Sequence, residues 1–106
     1  MSPTRPPVLG DDELTAALAA PDGPAWELMG GKLVKVVACS GFVGALAFVE
    51  AVGALAEGAN HHPDIDIRYN RVTLVLVTHD AGGITSLDLD LAQAIDRVND
   101  GIAESA

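Results

Sequence analysis

The three histidines of the chain, His61, His62 and His79, all lie between Glu57 and Asp88. Imidazole is the side chain whose unperturbed ionisation falls near neutral pH, so three of them in one window point first to proton transfer. Nucleophilic catalysis has no comparable candidate. No Ser or Cys with an attached base can be picked out, and the single Cys39, set among small and apolar residues, reads as a core or interface residue. Three converging histidines can also hold zinc, but no Cys or well-placed Glu completes a shell, so neither a metal nor a cofactor is expected. Gly82-Gly83 lacks a following Lys-Ser/Thr pair and reads as a turn rather than a phosphate loop. Asp88, three residues after Thr85, fits the third position of a capping-box-like helix start. Asp64 and Asp66 suit a solvated strand face, and Trp26 and Tyr69 suit the core.

These residues must be positioned by a small α+β domain. Asp11-Asp12-Glu13 is an acidic start for a short helix, which Pro21-Asp22-Gly23-Pro24 ends. Trp26 to Met29 and Lys32 to Ala38 form a hairpin about Gly30-Gly31. Ser40 is placed to cap a second helix running to about Glu57, whose apolar residues spread around most of the wheel. Such a helix should lie on its own sheet on one side and on a second subunit on another. After it, Ile65, Ile67 and Tyr69 alternate with Asp64, Asp66 and Arg68, and Val72 to His79 is rich in β-branched residues. Thr85 opens a third helix, with Leu87, Leu91, Ala94, Ile95 and Val98 on one stripe. The order is αββαββα: a four-stranded, mainly antiparallel sheet with helices packed on one face.

The second hairpin brings the histidines together. With Asn70-Arg71 as its turn, Tyr69 opposes Val72, Pro63 opposes Thr78 and His62 opposes His79. Directly opposed Cβ atoms lie roughly 5 Å apart. Ile65, Ile67, Tyr69, Val72, Leu74 and Leu76 then face the helices, while His79 shares the other face with Asp64, Asp66, Arg68, Thr73, Val75 and Val77.

With 106 residues there is room for one domain, taken here as residues 11–106 behind a flexible, proline-containing leader over 1–10. That leader has the character of neither a signal peptide nor an anchor. The apolar stretch from Gly41 to Ala56 carries Glu50 and is short for a bilayer, so a cytoplasmic location without membrane contact is expected. The hydrophobic share of 49% is high for a small domain and calls for a self-association interface. A formal charge of -9 would repel a phosphate backbone, which argues against direct nucleic-acid binding.

The spaced run Glu57, His61-His62-Pro63, Tyr69, His79 and Asp88 resembles the signature of the pterin-4a-carbinolamine dehydratases, from about Asp11 to Val98. His-His-Pro-Asp-Ile-Asp-Ile-Arg-Tyr-Asn and Thr-His-Asp-Ala-Gly-Gly-Ile-Thr look like the bacterial branch. Ile65, where many eukaryotic members carry an aromatic, and the less aromatic Val36-Val37-Ala38-Cys39 depart from the pattern without touching the histidines. The resemblance implies a homodimer or homotetramer that takes a pterin substrate, 4a-hydroxytetrahydrobiopterin, and removes water to give the quinonoid dihydropterin. This is a step that recycles the cofactor of aromatic amino-acid hydroxylases. It implies His61, His62 and His79 as catalytic residues, with substrate contacts at His61, His62, Pro63, Thr78, His79, Asp80, Ala81 and Asp88. Some relatives act instead as dimerisation cofactors of a transcription factor or as assembly factors of a carbon-fixing carboxylase. A binding or assembly role is therefore the alternative, although such a relative would be expected to lose a motif histidine.

Overall fold

Alternation in two hairpins builds the sheet on which everything else rests. A computed structural model describes residues 6–105. Its elements are α1 (Asp11–Ala19), β1 (Glu27–Met29), β2 (Lys32–Ala38), α2 (Phe42–Ala59), β3 (Asp64–Arg68), β4 (Arg71–Leu76), a 3-10 turn (His79–Ala81) and α3 (Ser86–Ser105). The strands lie in the order β1-β2-β4-β3, every neighbour antiparallel. Gly30 and Gly31 both have positive φ, the conformation a tight two-residue turn demands, and Met29 pairs with Lys32 across them.

One face of the sheet is covered. Leu33 opposes Leu76 and Val37 opposes Val72, and all four are buried with Leu74. Ala45, Phe48, Val52 and Ala56 recur at three- and four-residue spacing on α2 and complete the core with Leu91, Ala92 and Ile95 of α3. Removing a Leu- or Phe-sized side chain from water contributes about 1.5–3 kcal/mol each, so this layer fixes the helices on the sheet. A polar latch adds direction. The Asp96 carboxylate on α3 accepts hydrogen bonds from the Ala25 amide (2.8 Å), the Trp26 indole (2.9 Å) and Lys35 Nζ (2.7 Å).

Several expectations need correction. The second hairpin turns at Tyr69-Asn70, because Arg68 pairs with Arg71 and Ile65 with Leu74. Asn70 is held one position later than expected by its contacts with Cys39: its amide Nδ2 donates to the Cys39 carbonyl, and its own carbonyl accepts the Cys39 N–H. Tyr69 therefore takes the positive φ of 53° and is 71% exposed, not a core aromatic. The register moves by an even step, so the strand faces survive unchanged. Ser40 does not cap α2. Gly41, at φ 156°, occupies that position without a side-chain bond. Within the stretch expected as a leader, Leu9 donates to the Ile84 carbonyl at 2.8 Å and packs on the core. Residues 1–5 lie outside the described residues. Helix α2 is long and apolar enough by length and composition to cross a bilayer, contrary to the expectation for its stretch, but its buried stripe is seated on the sheet of its own domain. Phe42, Val43 and Leu46 remain exposed on its other side.

Candidate active site

The site forms where α2 stops. Asn60 adopts the left-handed conformation at φ 50°, its N–H reaching Ala56 and Glu57 carbonyls, and the His61 N–H returns to Ala56 O at 3.1 Å. This pattern of closing bonds terminates the helix and turns His61 inward. Pro63 then keeps His62 out of helical geometry and feeds the chain into β3. Carried past the strand ends, the observed register brings His61 toward Thr78 and His62 toward Val77, with His79 just beyond.

His79 is set by a different device. Thr78 N–H bonds to Gly83 O, while the Thr78 carbonyl accepts the Ala81 and Gly82 amides. Gly82 closes the 3-10 turn at φ 81°, a conformation that suits glycine, so Gly82-Gly83 is the turn the sequence suggested. The outcome is an open pocket of about 200 Å³ lined by His61, His62, Thr78, His79 and Asp80, with Asn60 and Val77 at its edge. His62, His79 and Asp80 are exposed and His61 is 8% exposed.

The histidines are held unequally. His61 Nε2 lies 2.5 Å from Asp88 Oδ1, and Asp88 is wholly buried at 0% exposure. The other oxygen, Oδ2, accepts the Thr78 hydroxyl at 2.8 Å and the Thr85 backbone N–H at 2.9 Å. The capping interaction expected of Asp88 is thus present, but one carboxylate serves both the helix start and the imidazole. His62 Nε2 instead pairs with Glu57 Oε2, one turn back on α2 and near the surface. Every described buried side-chain nitrogen and oxygen has a partner.

Among the residues expected at the site, His61, His62, Thr78, His79 and Asp80 share the pocket. Pro63 and Ala81 are half-buried beside it and outside its lining. Asp88 lies outside the pocket lining, a fully buried carboxylate behind His61 and Thr78, to both of which it is hydrogen-bonded. The Thr78 hydroxyl likewise points inward, to Asp88 and Thr85. Thr85, expected only as a helix start, joins this network, and its three-residue spacing to Asp88 is the signal for it. Among the described residues, no three His, Cys, Asp or Glu side chains cluster as a metal shell. Cys39 is partly buried, which pushes its thiol above the usual cysteine range and keeps it protonated.

Known proteins resemble this chain in sequence and in fold. Relatives carrying the name pterin-4-alpha-carbinolamine dehydratase, given provisionally in each case, include one from Acidobacterium capsulatum, 60% identical over 69% of this chain and 79% of its own. One from Chloroflexus aurantiacus is 50% identical over 87% of this chain and 97% of its own. The fold resembles a crystal structure described as a transcriptional coactivator/pterin dehydratase from Brucella melitensis (TM-score 0.79, 30% identity, covering 87% of this chain and 98% of that one). It also resembles a pterin dehydratase-like protein identified as a RuBisCO assembly factor in the alpha-carboxysome (TM-score 0.60, 25% identity, covering 70% and 88%). The sequence pattern of the family described as Pterin 4 alpha carbinolamine dehydratase matches residues 7–98, the stretch that carries both hairpins, all three histidines and Asp88. The chain belongs to the pterin-4-alpha-carbinolamine dehydratase family.

Proposed function

We propose that this protein is a lyase that removes water from a 4a-hydroxytetrahydropterin, 4a-hydroxytetrahydrobiopterin being the reference substrate, to give the quinonoid dihydropterin. The observation that carries this reading is the convergence of His61, His62 and His79 on one open pocket, with His61 backed by a buried carboxylate. In the elimination the C4a–O bond breaks as a proton reaches the departing hydroxyl. A second proton leaves a ring nitrogen, whose electron pair becomes the new C=N bond. One acid and one base suffice, each contributing about 10²–10⁴-fold, and no electrons are exchanged with an outside partner. His61 and His79, which line the same pocket, carry the transfers, while His62, tethered to Glu57 near the surface, orients the pterin. The reaction belongs to tetrahydrobiopterin recycling in the cytoplasm. The exposed Phe42, Val43 and Leu46 on α2 suit a homodimer or homotetramer.

Single alanine replacements test the division of labour. His61→Ala and His79→Ala should each lower the turnover rate by about 10²-fold or more, and His62→Ala should mainly raise KM. A larger loss of turnover rate from His62→Ala than from the other two would refute the assignment. A second reading, an assembly or protein-binding factor on the same scaffold, draws on the likeness to the RuBisCO assembly factor. The intact trio of histidines favours the enzyme.

A further inference from the structure

Behind the pocket sits a hydroxyl pair that proton transfer to a pterin does not itself require. The Thr78 and Thr85 hydroxyls lie 2.8 Å apart, both residues almost wholly buried. Their protons can be counted. The Thr78 hydroxyl has one proton, given to Asp88 Oδ2 at 2.8 Å, so its oxygen accepts the proton of Thr85. The Thr85 oxygen in turn accepts the Leu87 N–H at 3.2 Å. Asp88 Oδ2 thus receives two donors, the Thr78 hydroxyl and the Thr85 N–H, and has no room for an acid proton. Only Oδ1 remains, facing His61 Nε2 at 2.5 Å. A carboxylate accepts at both oxygens and donates at neither, so the ring is the donor across this contact. His61 Nε2 therefore carries the hydrogen. Among the described residues Nδ1 has no hydrogen-bond partner, and no described buried nitrogen lacks one, so Nδ1 is not sealed in the interior of this pocket-lining residue.

We infer that Thr85, Thr78 and Asp88 are positioning residues that lock His61 in its Nε2–H tautomer and present Nδ1 as the basic atom of the site. The catalytic consequence rests on the dehydratase reading; the tautomer itself does not. The lock runs one way because its first donor, the Thr85 amide, belongs to the backbone and cannot exchange roles. Asp88→Asn should reverse it. The amide oxygen would go to the side with two donors, leaving the NH₂ to face His61. That ring would then have to accept at Nε2 and carry its proton on Nδ1.

The test is long-range ¹H–¹⁵N correlation spectroscopy of the ¹⁵N-labelled full chain, at a pH where the His61 ring is neutral, with assignment by single His→Gln variants. The wild type should show His61 as Nε2–H and Asp88→Asn should show it as Nδ1–H. The variant's kcat should fall about 10²-fold or more, with KM little changed. Thr85→Val, which loses the hydroxyl alone, should give a mixture of tautomers and a smaller loss of kcat. An Nδ1–H ring in the wild type would overturn the proposal even if neither Asp88→Asn nor Thr85→Val folded. An Asp88→Asn spectrum matching the wild type would also overturn it. An Nε2–H ring in a wild-type protein that turns over no pterin would support the lock and defeat the dehydratase reading instead.

Discussion

Replacing Asp96 by Ala should destabilise the domain strongly, because three donors converge on that carboxylate. The Ala25 amide belongs to an exposed residue and regains water, so its bond is worth about 1 kcal/mol. The Trp26 indole N–H belongs to a residue only 6% exposed, and stranding it costs about 1–2 kcal/mol. Lys35, with 15% of its side chain exposed, loses a charge-assisted bond worth about 1.5 kcal/mol. Together these give about 4 kcal/mol, a large share of the 5–15 kcal/mol typical of such domains. The midpoint of thermal unfolding should drop by roughly 15–30 °C. Asp96→Asn keeps an acceptor and should lose about half as much. Urea denaturation followed by far-ultraviolet circular dichroism measures both. A loss below about 1 kcal/mol for Asp96→Ala would refute the reasoning, since it would mean that solvent replaces all three bonds.

Two glycines should respond in opposite directions. A Cβ on Gly23 would stand 2.1 Å from the Ala17 carbonyl oxygen, so Gly23→Ala should cost about 2 kcal/mol or more in the same melts. Gly53, inside α2 with nothing within 4 Å of its virtual Cβ, should gain about 0.5–1 kcal/mol on replacement by Ala. The Cys39 thiol, raised by burial, should react with iodoacetamide at neutral pH more slowly than free cysteine, and the gap should persist until the pH passes its elevated ionisation. Reaction as fast as free cysteine would contradict that placement.

Much of this architecture was legible because its signals are local. The Gly30-Gly31 turn, the alternation along β4 and the acidic start of α1 each announce an element within a few residues. The histidines converge as expected because the hairpin is short and the true register differs from the expected one by an even step. What escaped depended on distant partners. Asn70 was expected to open the turn, yet its pairing with Cys39, far away in sequence, puts Tyr69 there instead. Asp96 gave no sign that it would gather Trp26 and Lys35, since α3 taken alone shows only an amphipathic stripe. The capping bond of Asp88 is visible in its spacing to Thr85, whereas its burial behind His61 depends on the packing of α3 against the end of α2.

The central claim is that this histidine cluster dehydrates a hydroxylated pterin. It is tested most directly by following the ultraviolet decay of freshly generated 4a-hydroxytetrahydropterin with the wild-type protein and with His61→Ala/His79→Ala. The account predicts acceleration by the wild type and none by the folded double variant. A folded wild-type protein that leaves the spontaneous decay unchanged would contradict it.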